Sequence, residues 1–245
     1  IRLSLVGSEM CIRDRFWTRA FGLLEPEGTL TSLAHKLMND ENGYDPFFED
    51  IGSLWLLHFN LINEDYATIY KSTFIDYHRQ RNLIDSIKLL NFIKHLCFDG
   101  TSYKNLYNEN TVKRDIGVLF HNYCSHSNGS IEESNMLLAP LNLIQETEDG
   151  IYIFNYDTRN SIPVNIFLYA LLVQFPDSKS ISFESMKDLA LMFCLTNNDL
   201  LGIIKQLCTV YPNQIVFSDV AGIKELQIRE NVSIDTILNN YYLTE

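Results

Sequence analysis

The feature that most constrains this chain is its longest apolar run, VNIFLYALLVQF, at positions 164–175. A helix needs about 20 apolar residues to cross a lipid bilayer, so this run of about a dozen is too short to span one. It is better explained as a helix of a hydrophobic core, and Pro163 suits the first turn of such a helix. The run therefore predicts a globular protein that folds around a buried helix.

Composition supports a globular chain and restricts the ligands it can bind. The 245 residues are 46% hydrophobic and 20% charged, which allows a substantial core. The formal net charge of −12 disfavours indiscriminate coating of DNA and binding to membrane surfaces, since both depend on summed positive charge. Any contact with nucleic acid must come from a local patch. We find no export or anchoring signal, so we expect a cytoplasmic protein without membrane contact.

The stretch LSLVGSEMCIRDR, residues 3–15, differs in character from the rest of the chain. It shows no helical stripe that continues into Phe16 and no strand alternation, and it ends in charged residues rather than in a small-residue cleavage site. Translated back into codons, EMCIRDR fits the end of a transposase-based sequencing adapter read in frame. We therefore predict that residues 1–15 derive from an adapter in assembled environmental DNA, and that the native N-terminal segment is missing.

From Phe16 onward the patterns predict a mainly α, multi-helical fold with winged helix-turn-helix units and short β-hairpins. We expect a truncated helical part at 16–80, a winged-helix-like unit at 81–160 and a second winged-helix-like unit at 161–245. Residues 51–77 indicate two helices joined by a short connector. The C-terminal unit has the order helix, helix, strand, strand, with a capping box formed by Thr196 and Asp199.

Two helices of the first unit carry clear apolar stripes. The earlier helix, at 82–97, is predicted to bury Leu83, Ile87, Leu90, Ile93 and Cys97. The later helix, capped by Asn110 or Thr111, is predicted to bury Val112, Ile116, Leu119 and Phe120.

The stretch NTVKRDIGVL, residues 110–119, is the most informative one for function. In a helix-turn-helix, the N-terminal residues of the second helix face groove edges and phosphates. We therefore predict that DNA contacts Tyr103, Lys104, Asn110, Thr111, Lys113 and Arg114. The stretch is similar to the recognition helix of DeoR-type repressors, which opens with Thr-x-x-Arg-Asp. In the alternative interpretation the unit only packs against its neighbours, and Arg114 and Asp115 pair locally.

Other chemical signals are weak. His121, Cys124 and His126 suggest zinc, but no second ligand cluster follows, and we predict no metal and no cofactor. Cysteines 97, 124, 194 and 208 are expected to be reduced thiols. His58, on an apolar helix, is expected to pack in the core. The acids Asp45, Glu49 and Asp50 suggest either a divalent-ion site for phosphodiester cleavage or, with more support, helix capping.

Several phrases together resemble the bacterial family catalogued as domain of unknown function 4007: FWTRAFGLLE, LTSLAHKLM, GYDPFFEDIGSLWLLHFNL, TVKRDIGVLFHNYC, ESNMLLAPLNLI and VNIFLYALL. The resemblance runs from Phe16 to about Leu243, and the family's usual Ser-Gly-His-Glu-Thr-Phe opening is absent. It implies a place in DNA phosphorothioation or defence clusters, beside sulfotransferase-like or phosphosulfate-reductase-like genes, and one related component is described as a DNA-nicking factor.

With this resemblance, the leading hypothesis is a DNA-binding component of a phosphorothioate modification or phage-defence system. A second hypothesis is an assembly subunit that binds a phosphosulfate-reductase-like sulfur-transfer protein. A third is a DNA nickase with an acidic metal site.

Overall fold

The computed structural model describes residues 8–98, 107–124, 137–147, 150–220, 222–229 and 232–243, with side chains from residue 14 onward. These ranges contain ten α-helices and two small three-stranded sheets, which confirms a mainly α protein.

The N-terminal part consists of helices. They are α1 (Ser8–Ala20), α2 (Ser32–Met38), α3 (Ile51–Asn63) and α4 (Thr68–Lys71), and α4 continues as a π-helical segment at Ser72–Tyr77. The predicted helix pair at 51–77 is therefore present. Helix α1 begins at Ser8, although the sequence shows no helical stripe before Phe16, because a helix extends by backbone hydrogen bonds once one turn has formed.

The same order of elements then occurs twice. After α4 and its π-helical segment come β1 (Leu83–Ile84), α5 (Ser86–Phe98), α6 (Glu109–Tyr123), β2 (Ile144–Glu146) and β3 (Tyr152–Phe154). After α7 (Val164–Gln174) come β4 (Ser180–Ser182), α8 (Lys187–Met192), α9 (Asn197–Val210), β5 (Ile215–Val220) and β6 (Ile223–Ile228). A final helix, α10 (Ile234–Tyr242), packs against α7.

Both sheets are antiparallel and place their strands in the same relative order, β1-β3-β2 and β4-β6-β5. In each sheet a short strand that precedes the helix pair joins the later hairpin: Ile84 lies opposite Tyr152, and Ile181 lies opposite Leu226. The sequence predicted the hairpin strands of the second sheet but neither β1 nor β4, because strands of two or three residues show no periodicity.

One predicted stripe is wrong at its first two positions, whereas Leu90 and Ile93 are buried and Cys97 is partly buried against the core, as predicted. Leu83 belongs to strand β1 and is 44% exposed, and Ile87 is 70% exposed. Helix α5 begins only after Asp85, whose carboxylate accepts hydrogen bonds from the backbone N–H groups of Ile87 and Lys88, both at 2.9 Å. This start turns Leu89, Leu90 and Ile93 toward the core.

Helix α7 lies in the core, as its apolar run predicts. Six consecutive residues, 166–171, are buried. No helix within the described ranges has both the length and the apolar character needed to span a bilayer. The four cysteines with described side chains are thiols rather than disulfides, in agreement with the prediction of reduced thiols.

A buried histidine joins three helices at the centre of the molecule. The side chain of His58, from α3, is fully buried; its Nε2–H donates to the carbonyl of Met192 at the end of α8, at 2.7 Å. Its Nδ1 accepts from the hydroxyl of Tyr123 in α6, at 2.6 Å. Because a carbonyl only accepts, this pattern fixes the neutral Nε2–H tautomer. Desolvation lowers the pKa of His58 to about 4, and the expectation that His58 packs in the core is confirmed.

A second buried histidine follows the π-helical segment. His78 donates from Nδ1 to the carbonyl of Leu191 at 3.2 Å and accepts at Nε2 from the hydroxyl of Tyr156 at 2.7 Å. Its ring stacks on Phe154 with the ring centroids 3.7 Å apart. Burial lowers the pKa of His78 to about 4. Both imidazoles are therefore neutral, and both bind the carbonyls at the end of α8.

The two histidines make stability depend on pH. The ordinary pKa of histidine is about 6.5, and the folded-state value of His58 is about 4, so the unfolded chain binds more protons between these values. The contribution of the two neutral histidines to the free energy of unfolding is therefore fully present above pH 6.5 and is lost as the pH falls toward 4. We expect His58→Gln, whose amide can keep both hydrogen bonds, to remove about half of this histidine-dependent loss between pH 7 and pH 5.

Chemical denaturation at both pH values measures the effect. The matched control is His95→Gln on the exposed side of α5, which is expected to leave the pH dependence unchanged. An identical pH dependence in wild type and His58→Gln contradicts the assignment.

Candidate nucleic-acid interface

Helix α6 carries most of the predicted contacts, and its start differs from the prediction. The N-cap is Asn108, whose side chain accepts from the backbone N–H of Thr111 at 3.1 Å. Asn110 and Thr111, predicted as caps, instead occupy the first helical turn. The sequence misplaces the cap because all three residue types are good caps and only the path of the preceding chain selects one.

The inner face of α6 follows the prediction. Ile116, Leu119 and Phe120 are buried, and Val112 is partly buried against the core. Phe120 stacks on Tyr152 of β3 with ring centroids 3.9 Å apart. At the other end of the helix, Asn122 donates to the hydroxyl of Tyr70 in α4, and Tyr123 donates to His58. Burial raises the pKa of Tyr123, which keeps its hydroxyl protonated for this bond. The C-terminal half of α6 is thus fixed, and its first turn points outward.

Four of the predicted contact residues lie together at this end of α6, within its first two turns. Asn110, Thr111, Lys113 and Arg114 are all exposed. Tyr103 and Lys104 lie outside the described residues, so their predicted role stays a prediction.

The two cations of α6 differ in their partners. Lys113 donates to Glu109 at 2.7 Å, a pair with the i,i+4 spacing that stabilises helices. Glu109 also lies 3.9 Å from Lys94 of α5. Arg114 forms no hydrogen bond or ion pair with any part of the chain that the structure describes, and the considered pairing with Asp115 does not occur there. Sequence analysis missed Glu109 and Lys94; the Glu109–Lys113 spacing is visible in the sequence, but the approach of Lys94 is not.

The helix pair α5 and α6 lies in a part of the chain where positive charges outnumber negative ones. Positions 81–124 contain six Lys or Arg and four Asp or Glu, whereas the whole chain has 19 and 31. On α5, Lys88, Lys94 and His95 are exposed. An acidic chain therefore places a small excess of cations on one helix pair.

Helix α9 is the counterpart of α6 in the second repeat, and an arginine side chain lies across part of its outer face. The predicted capping box of Thr196 and Asp199 is confirmed. Arg159, from the segment before α7, lies across α9: its Nε donates to the carbonyl of Asp199 and its Nη2 to Oε1 of Gln206, both at 3.3 Å. A Cβ atom on Gly202 would stand 2.8 Å from Nη2 of Arg159, so glycine permits this approach.

The acids proposed for a metal site have structural partners. Asp50 is the N-cap of α3, as the capping interpretation predicts, and also accepts from the hydroxyl of Tyr241 at 2.8 Å. Asp45 is buried and accepts from the backbone N–H groups of Glu49 and Asp50. Within the described ranges, no group of three or more His, Cys, Asp or Glu side chains is arranged to hold a metal ion.

The environment of Cys124 does not support the zinc interpretation either. Cys124 is buried, and its thiol donates to the carbonyl of Ile144 at 3.4 Å. Desolvation raises the pKa of Cys124 to about 12, which opposes the thiolate form that binds zinc. His126, the third residue of that motif, lies outside the described ranges.

Comparison with known proteins gives one family and one fold. The model of the family described as "Protein of unknown function (DUF4007)" matches residues 5–242. This match begins within the stretch attributed to an adapter, whose origin stays a prediction. The search of curated proteins found no match.

Two solved structures share the fold. They are titled "SspB crystal structure" and "Magnesium ion-bound SspB crystal structure", with TM-scores of 0.77 and 0.80. Each is 19% identical in sequence, and each alignment covers 97% of this chain and 76% of the other. At this identity the likeness establishes the fold alone.

The capping role of Asn108 leads to a stability prediction. We expect Asn108→Ala to lower the free energy of unfolding by about 1 kcal/mol, because the N–H of Thr111 loses its acceptor. Asn110→Ala changes the same residue type two positions later, inside the first turn, without removing a cap, and it should stay within about 0.5 kcal/mol of wild type. Urea denaturation distinguishes them, and a larger loss for Asn110→Ala would assign the cap to the residue predicted from the sequence.

Proposed function

The chain belongs to the family described as "Protein of unknown function (DUF4007)", and from this premise we propose that it is a DNA-binding component of a phosphorothioate modification or phage-defence system in a bacterial cytoplasm. The family resemblance supplies the biological setting. The observation that carries the DNA contact is the exposed N-terminal end of α6, where Arg114, in the second turn, lacks a partner within the described part of the chain.

We infer that each repeated set of elements is a winged-helix unit. The order helix, strand, helix, helix, strand, strand, with the first strand beside the last, supports this inference in both repeats. The units would span 68–154 and 164–228, so the first begins before the predicted boundary at residue 81. In the first unit α6 takes the position of the helix that enters the major groove, with Asn110 and Thr111 toward base edges and Lys113 and Arg114 toward phosphates.

The second unit is a poorer candidate for reading DNA. Counted from the N-cap, Lys113 and Arg114 of α6 correspond to Leu201 and Gly202 of α9. Arg159 then covers Gly202 and is held by Asp199 and Gln206. We therefore assign the DNA contact to the first unit. The part of α9 around Gly202 serves instead to bind Arg159 of the same chain.

A double substitution tests the DNA contact. We expect Lys113→Glu with Arg114→Glu to weaken binding to a short labelled duplex by at least about tenfold and to reduce the slope of log K against log salt by about 1 to 2, because Arg114 loses its phosphate contact and so does Lys113, whose charge Glu109 partly neutralises. Fluorescence anisotropy at several salt concentrations measures both quantities.

The matched control makes the same change of charge elsewhere. Lys205→Glu with Arg229→Glu alters one exposed lysine of the second unit and the exposed arginine that directly follows this unit. Equal weakening by both double variants would show only a response to net charge. Unchanged, salt-sensitive binding by the α6 variant would rule out this interface.

A separate observation favours the assembly subunit as the second candidate. At the turn between β5 and β6, Val220 and Ile223 are 69% and 66% exposed, on either side of Gly222. A pair of exposed β-branched side chains at the ends of two hairpin strands suits an apolar depression on a protein partner. In this candidate the partner is a phosphosulfate-reductase-like sulfur-transfer protein. We assign no nicking reaction to Asp45 and Asp50, because their carboxylates bind backbone N–H groups.

Co-purification after nuclease treatment tests this candidate. We expect Val220→Ser with Ile223→Ser to abolish capture of a phosphosulfate-reductase-like sulfur-transfer protein, because the apolar tip is lost. Val210→Ser with Ile87→Ser changes the same residue types at other exposed positions and should leave capture intact. Equal capture by the two double variants would remove the hairpin tip from the interface.

A further inference from the structure

Glu109 connects the two helices of the proposed DNA-binding pair. It is the first residue of α6, and its two carboxylate oxygens face different lysines. Oε1 lies 2.7 Å from Nζ of Lys113 on the same helix, and Oε2 lies 3.9 Å from Nζ of Lys94 on α5. All three side chains are about half exposed, so an ion from solution can reach the same lysines.

The position occupied by Glu109 suits a phosphate equally well. A carboxylate and a phosphodiester both offer anionic oxygens to ammonium groups. The N-terminal end of a helix favours either anion through its exposed N–H groups and its dipole. Exposed carboxylate–lysine pairs contribute little to stability, because water and salt screen them. A DNA phosphate that brings further contacts with it can therefore displace the carboxylate.

We propose that Lys94 and Lys113 together bind one phosphodiester of the DNA backbone, and that Glu109 is an internal competitor for that site. The inference rests on the proposed DNA contact of α6 and adds two residues to it, Lys94 as a contact and Glu109 as a restraint. While Glu109 holds both lysines, the three side chains together carry only one net positive charge. Glu109 thus limits the affinity of an otherwise acidic protein for duplexes in general.

The neighbouring acid on the same helix provides the comparison. Asp115 is exposed on α6 but forms no ion pair with the part of the chain that the structure describes. Removal of its charge changes the net charge of α6 by the same amount as removal of the charge of Glu109. Only the removal of Glu109 also releases two lysines.

Glu109→Gln is the test, with Asp115→Asn as its matched control. We expect Glu109→Gln to bind a short labelled duplex of mixed sequence about 3- to 10-fold more tightly, and the slope of log K against log salt to steepen by about 1 to 2, because two lysines become available to phosphates. Asp115→Asn should produce a clearly smaller gain and no change of slope. Thermal unfolding of both variants verifies that they fold.

A double-mutant cycle with Lys94→Gln identifies the coupling. We expect Lys94→Gln to weaken binding little in wild type and several-fold in the Glu109→Gln background. Equal gains from Glu109→Gln and Asp115→Asn, or equal effects of Lys94→Gln in both backgrounds, would overturn the inference. Wild-type binding that requires Arg114 but does not respond to Glu109→Gln would overturn it and leave the proposed function standing. Absence of DNA binding in every variant would overturn both.

Discussion

The arrangement of this protein depends on one buried imidazole. His58 donates to the carbonyl of Met192 and accepts from Tyr123, so a single side chain of α3 ties α6 of the first repeat to the end of α8 in the second. Both ring nitrogens are satisfied at a fully buried position, and loss of either partner would leave a buried polar atom unpaired. His78 forms a similar hydrogen bond to the carbonyl of Leu191. These bonds specify how the two repeats meet, which apolar packing alone does not.

This anchoring has a consequence at the surface. With Tyr123 fixed inside, the opposite end of α6 extends outward and presents Asn110, Lys113 and Arg114. The equivalent helix of the second repeat has glycine where α6 has Arg114, and Arg159 uses the space for an internal contact. Two units with the same order of elements therefore have different outer surfaces. The difference arises from a few outward side chains, since the buried faces of α6 and α9 follow the same apolar spacing.

Sequence reasoning succeeded for elements whose signal is local and long. The apolar run of α7, the inner face of α6, the capping box of α9 and the β5–β6 hairpin were all predictable, because their patterns repeat over several turns or residues. It failed at Leu83 and Ile87, which fit an apolar helical stripe in the sequence. In the structure, Asp85 caps the helix, so Leu83 lies before the helix and Ile87 lies exposed in its first turn. Strands β1 and β4 were missed because they exist only by pairing with strands about 45 to 70 residues away.

The sequence by itself determined a mainly helical core, an acidic chain with reduced thiols, and a cationic turn at the start of α6, because periodicity and charge are properties of neighbouring residues. Only the tertiary structure decided which residues share a partner. It placed Lys94 beside Glu109, laid Arg159 across Gly202, and gave Asp45 and Asp50 backbone N–H groups to bind. Such contacts depend on how separate helices pack, and packing directions are set by the whole core rather than by any one segment.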